Sequence, residues 1–271
     1  IAGLHDEYFA VDREPNERNI VRFLIGDRSN PGSIISSLAM ARENLRTTRA
    51  IVPRSAWETL NDTYAYASEN KATATTRRGR YAYLRHIIDY CHMLAGKLSG
   101  TMSHDQTYDF LRMGRNMERA DMTTRVIDVR GSNLLPTLSE ELKPFDDIQW
   151  KSVLDSLAAY QMSRRQVHVR VFGKAVLRFL LQDSVFPRAV QYTLSEVEHC
   201  LRSLPGNEAA LRVLGRVQRM VQQVEVSGIV HAGLTDFINE LQLVHSELNG
   251  QLMASFFEAF EEPAEARLAL A

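Results

Sequence analysis

The sequence predicts an all-α protein, a multi-helix bundle of about nine helices forming one domain with two packed helical layers. Three observations carry that expectation. Apolar residues recur at helical spacing through most of the chain. Sustained strand-like alternation is missing, and the one hairpin-type dipeptide, Asn249-Gly250, is flanked by helical spacing and reads as a helix break. The 271 residues, 45% of them hydrophobic, are enough to bury a substantial core.

The elements follow in order. Gly3 to Pro15 reads as a connector, and a short helix covers 16–27. Asn30-Pro31-Gly32-Ser33 breaks the chain and caps a helix over 34–51, where Ile34, Leu38, Ala41, Leu45, Thr48 and Val52 form a core-facing stripe. Pro53 suits the first position of a helix over 54–73, anchored by Trp57, Leu60 and Tyr64. The next helix, 76–98, presents Tyr81, Leu84, Ile87, Ile88 and Cys91 and ends near Gly100. Ser103 and Gln106 resemble a capping box for a helix running to 129.

Residues 131–144, with two prolines and no sustained period, form the clearest loop. A subdomain boundary is placed at 131–145, between the two layers. Helices are then expected over 146–169, 173–182, 187–203, 207–227 and 231–260, with breaks at Phe186-Pro187, Pro205-Gly206 and Gly228. The tail after Pro263 is expected to fray. The chain opens at Ile1, so residues upstream are expected to be missing.

Composition narrows the function. Lys plus Arg number 32 against 33 for Asp plus Glu, so no net field favours nucleic acid or an anionic membrane surface. No apolar run is long enough to span a bilayer. Two cysteines, Cys91 and Cys200, make no disulfide framework, and the cytoplasm is the expected compartment. There is no glycine-rich phosphate cradle, so no nucleotide cofactor is expected. Cys91-His92 and Glu198-His199-Cys200 place adjacent residues about 100° apart on a helix, which suits joint metal ligation poorly. Glu196 with His199 supplies a single Glu-x-x-His, half of what a di-iron bundle requires. The tract Arg77-Arg78-Gly79-Arg80 reads as a solvated helix start.

Two helices carry polar seams beside their apolar ones. On 104–129, Phe110, Met113, Met117, Ala120, Thr124 and Ile127 form the core seam. Beside it run Leu111, Gly114, Glu118, Asp121, Arg125 and Asp128. Asp121 and Arg125 make an i, i+4 pair, and Arg115 or an arginine of another helix can reach Glu118. Glu118 is expected at the core margin, where desolvation raises its pKa unless an arginine compensates. On 34–51, Arg42, Arg46 and Arg49 share one stripe next to Glu43 and Asn44. Such a stripe calls for opposing carboxylates, from Glu58, Glu118 or Asp121, or for an anionic ligand. Trp57 and Asn61 share a face of the following helix. A saturated ion-pair network is the competing explanation of both seams.

Several stretches resemble the Alpha-E family, α-helical domains with a Glu-Arg motif. They are 37–44 (Ser-Leu-Ala-Met-Ala-Arg-Glu-Asn) with Arg46 and Arg49, Trp57-Glu58-Thr59-Leu60-Asn61, 110–121 with Arg115, Glu118-Arg119 and Asp121, and Phe186-Pro187-Arg188. The resemblance implies a further N-terminal helix, missing here, and a serine where Ala189 stands. It also implies association with a circularly permuted ATP-grasp ligase, in trans or fused. It implies no established reaction.

Three functions follow as expectations. In the first, the chain is an accessory or substrate-presenting module for an amide-bond ligase. Its polar cluster of Arg42, Glu43, Asn44, Arg46, Arg49, Trp57, Glu58, Asn61, Arg115, Asp121 and Arg188, with Glu118 and Arg119, binds an amino-acid-like or peptide ligand, or the partner. In the second, the chain is an enzyme with Glu118 as acid or base and Arg42 and Arg119 as anion stabilisers. In the third, it is a structural homo-oligomer in which protein groups saturate every charge.

Overall fold

A computed structural model describes residues 8–10, 14–131, 143–166, 173–229 and 233–257. Its described residues are helical apart from turns and caps. The chain divides into two compact units, Ile1–Thr107 and Tyr108–Ala271. The division falls in the first turn of a helix. Of the 131–144 loop, residues 132–142 lie outside the described residues, as do the tail after Pro263 and most of the 3–15 connector.

The first unit contains α1 (Glu17–Gly26), α2 (Ile34–Thr47), α3 (Arg54–Asn70), a 3-10 turn (Thr73–Thr75) and α4 (Arg77–Thr101). Side-chain caps explain where these begin. Asn16 accepts the Asn19 N–H at 2.9 Å, and Ser33 accepts the Ser36 N–H at 3.2 Å. Asn30 is fully buried and holds the intervening turn, donating to the Phe23 carbonyl and accepting from the Gly32 N–H. The expected stop at 51 comes four residues early. The hydroxyls of Thr47 and Thr48 both donate to the Asn44 carbonyl, which competes with continued helix. Pro53 sits one position before the expected one, as the N-cap of α3.

Packing of α2 and α4 on α3 buries Ile35, Ala67, Tyr83 and Ile87. The expected face of α4 is corrected in part. Ile87 is buried and Leu84 packs against the core as expected, but Tyr83 is buried in place of Tyr81, and Ile88 and Cys91 are exposed. Thr76 caps α4 through the Gly79 N–H, and a Cβ on Gly79 would lie 2.4 Å from the Thr73 carbonyl oxygen. The basic tract is therefore a helix start in which glycine is required, and Arg80 pairs with Glu17 at 2.9 Å.

The second unit is built from α5 (Gln106–Gly131), α6 (Lys143–Ser156), α7 (Tyr160–Gln166), α8 (Gly173–Gln182), α9 (Val190–Arg202), α10 (Glu208–Gln223), α11 (Val226–Ile229) and α12 (Leu234–Phe256). Asp105, not Ser103, supplies the capping oxygen of α5, accepting the Thr107 N–H at 3.0 Å. The core seam expected on α5 is present, with Met113, Met117, Ala120, Thr124 and Ile127 all buried. Met113, Met117, Ala120 and Ile127 join Leu194, Val197 and Leu201 of α9, Leu214 and Val217 of α10, and Ile238, Leu241 and Leu248 of α12 in one core.

The helix expected over 146–169 is two helices. Ala158 adopts φ 50°, and the Ala159 N–H donates back to the Leu154 carbonyl at 2.7 Å, a left-handed closure that stops α6. Gly173 meets Trp150 so closely that a Cβ would lie 2.4 Å from its indole nitrogen. At the other end of the chain α12 runs unbroken through Asn249-Gly250, because its buried seam, Leu241, Leu248 and Leu252, continues past the dipeptide.

Candidate functional site

In the first unit the polar residues singled out by sequence form an exposed network. Arg42 donates to Asn61 Oδ1 at 2.6 Å and lies over the Tyr64 ring, 5.3 Å from its centroid. The Asn61 amide in turn donates to the Trp57 carbonyl. Glu43 takes two hydrogen bonds from Arg46, at 2.9 and 2.5 Å, and this bonding holds its carboxyl below the usual range. Arg49 lies over Trp57, 5.7 Å from the ring centroid. Glu58 was expected to face the arginine stripe but pairs with Arg54, one turn away in its own helix, at 2.7 Å. Local i, i+3 and i, i+4 partners win because they need no ordering of a second helix. Asn44 is exposed, and its carbonyl serves the Thr47 and Thr48 hydroxyls.

In the second unit the polar seam of α5 faces a cavity of about 400 Å³ between α5 and α12. Glu118, Asp121 and Arg125 line it from α5, and Gln242, His245 and Asn249 from α12. Arg125 donates to Asp121 at 2.7 Å, as the i, i+4 spacing predicts. Glu118 is exposed in the cavity wall, and among the described residues it has no ion-pair partner. This corrects its expected place at the core margin. It points to the open side of the seam while Met117 and Ala120 fill the core.

His245 was not anticipated from sequence. Burial lowers its pKa. Asp121 and a hydrogen bond to the Met117 carbonyl oppose that, and Arg125 adds to it. With one ring N–H held by Met117, the neutral ring has an unprotonated nitrogen as acceptor. A histidine among mixed residues of a helix carries no sequence signal, and the α5 residues it meets are more than a hundred positions away.

Arg119 does not line this cavity. Neighbouring residues on a helix point about 100° apart, and Arg119 belongs to the face that meets α9. Thr123 on that face donates to the Arg188 carbonyl at 2.8 Å, and Arg112 donates twice to Glu196, at 2.8 and 2.6 Å. Arg119 is half-buried between these contacts, and burial first, then the nearby Arg115 and Arg188, hold its pKa below the usual guanidinium value. Arg188 donates to the Leu157 carbonyl at 3.1 Å. Sequence reasoning missed Arg112, whose partner lies 84 positions away.

That pairing also removes Glu196 from any Glu-x-x-His ligand set. Glu198 is held by Arg202 at 2.5 Å and Gln218 at 2.9 Å, and burial pushes the Cys200 thiol up to about 11, far from a reactive thiolate. Among the described residues no group of three His, Cys, Asp or Glu side chains could hold a metal, and no helix is long and apolar enough to cross a membrane.

A family model for Alpha-E, an alpha-helical domain with a conserved ER motif, matches residues 1–257. The chain belongs to the Alpha-E family. Glu118-Arg119 on α5 is the Glu-Arg dipeptide that carries the resemblance. No curated protein and no solved structure matches the chain. The serine that the family resemblance places at position 189 now has a structural meaning. Ala189 is the N-cap of α9 and offers it no side-chain hydrogen bond, so a serine there would act as a cap.

Proposed function

We propose that this Alpha-E chain is a helical accessory or substrate-presenting module that acts with an ATP-grasp-type amide-bond ligase, in trans or fused, in the cytoplasm. Its α5–α12 cavity holds an amino-acid-like or peptide ligand. The observation that supports the reading is the cavity itself. It combines an exposed carboxylate, an ion pair, two amides and a neutral imidazole with an apolar wall, the composition of a small-molecule or peptide site. The family resemblance supplies the partner. The exposed Arg42, Arg46, Arg49 and Glu58, with the half-buried Trp57 beside them, offer that partner a charged and aromatic surface. An open cavity lined by a Glu118 that has no ion-pair contact among the described residues argues against a purely structural role, in which protein groups would saturate every charge.

The test is copurification of the tagged chain with the ligase, together with ligation measured with and without it. Association and a several-fold gain in ligation are expected. No effect on either overturns the proposal.

A second reading, that the chain is itself an enzyme with Glu118 as acid or base, is favoured by the neutral imidazole of His245 in the same cavity. Here the cavity's cation is Arg125. A folded Glu118→Gln variant that retains full pathway output overturns this reading.

A further inference from the structure

The α5–α12 cavity has a charge and a polarity direction, and together they specify a ligand. At one end Asp121 and Arg125 neutralise each other at 2.7 Å, and the amide of Gln242 sits at 3.4 Å from the buried Thr124 hydroxyl. Glu118 stands beside them without an ion-pair partner among the described residues, and His245 contributes no charge when its ring is neutral. That end therefore carries one surplus negative charge and several acceptors. At the other end Phe110 meets Phe256 and Phe257 edge-on, at 5.5 and 5.6 Å between ring centroids, and Leu252 and Met253 complete an apolar wall.

Gly114 lies between the two ends and leaves the wall open. Nothing stands within 4 Å of where its Cβ would be. Phe110 and Glu118 are about two turns apart on α5, ~12 Å along its axis. An extended chain covers about 3.3–3.6 Å per residue, so a ligand spanning both ends is about the size of a tripeptide.

We propose that this cavity binds the free amino end of a short apolar peptide, its ammonium at Glu118 and its side chains toward Phe110 and Phe257. The unprotonated nitrogen of His245 and the Asn249 side chain accept the remaining ammonium hydrogens. This rests on reading the cavity as the ligand site of the proposed function and narrows it to the amine-bearing reactant, the one that an amide-bond ligase acylates.

Three peptide amides test it by titration calorimetry on the full chain. They are Leu-Leu-Phe amide with a free amino end, its N-acetyl form, and Gly-Gly-Gly amide. The free-amine apolar peptide should bind at least tenfold more tightly than either control. Glu118→Gln should abolish the preference for the free amine, and Gly114→Leu, which puts a side chain into open space, should remove binding while leaving the helical spectrum unchanged. Equal affinity for the acetylated peptide, absence of binding by all three, or an undiminished preference in Glu118→Gln overturns the assignment. The ligase is not in this assay. Amine selectivity without copurification would defeat the proposed partnership and leave this inference standing, and the reverse outcome would do the opposite.

Discussion

Glu118 and Arg119, adjacent in α5, do not form a pair with each other but serve two faces of one helix. Glu118 lines the α5–α12 cavity, and Arg119 lies half-buried on the face toward α9 with Arg115 and Arg188 nearby. The helix therefore contributes to a cavity and to a structural interface at the same time, and variants of these two residues should fail in different ways.

The Arg112–Glu196 pair joins α5 to α9 with both side chains less than a quarter exposed. Burial works most strongly against the charge of Arg112, and the Glu196 bond and charge, with smaller contributions from Cys200 and Tyr108, together outweigh it. Removing one partner leaves the other charge half-desolvated. Arg112→Ala should lower unfolding stability by about 1–3 kcal/mol, and the Arg112→Ala, Glu196→Ala double variant should be less damaged than the sum of the singles. Urea unfolding of the four proteins of this cycle measures both.

Ala189→Ser should raise stability. The α9 N-terminus has no side-chain cap, and a serine at this position can accept one of its free N–H groups, worth about 1 kcal/mol. A higher urea midpoint with an unchanged slope is the expected result.

Gly173→Ala should do the reverse. A methyl group there collides with the rigid indole of Trp150 at 2.4 Å from its nitrogen and 2.7 Å from a ring carbon, and overpacking of this kind costs about 1–3 kcal/mol. A fall in the thermal midpoint, with a changed Trp150 fluorescence, checks it.

His245 links the cavity to pH. Its folded pKa lies below the ordinary value of ~6.5 that it regains on unfolding. Between those two values the unfolded chain binds more protons, so this contribution to stability is complete above pH ~6.5 and is lost as pH falls through the window beneath it. Asp121 and Arg125 face the ring from α5 with opposing effects, and Glu118 shares its cavity. In His245→Gln, which keeps a donor for the Met117 carbonyl, the decline in stability between about pH 6.5 and 5 should flatten. Urea midpoints of both proteins across that range decide it.

The sequence by itself determined the helical class, the family, the buried seam of α5 and the Asp121–Arg125 pair. All of these depend on spacing within one helix, where 3.6 residues per turn fixes which side chains are neighbours. It also located the break at Asn30-Pro31-Gly32-Ser33, since caps and turns are local chemistry. It mixed the two faces of α4, because aromatic and aliphatic residues occur on both sides of that helix and only packing on α3 selects Tyr83 to join Ile87 in place of Tyr81 and Ile88. It likewise carried α6 through Ala158, since nothing in an alanine announces a left-handed φ. The cavity was a matter for the tertiary structure alone. His245 meets Asp121, and Glu196 meets Arg112, only because the core docks α12 and α9 against α5. Which charges are paired, desolvated or left open is set by that packing across long sequence separations, a distance dependence that residue order does not encode.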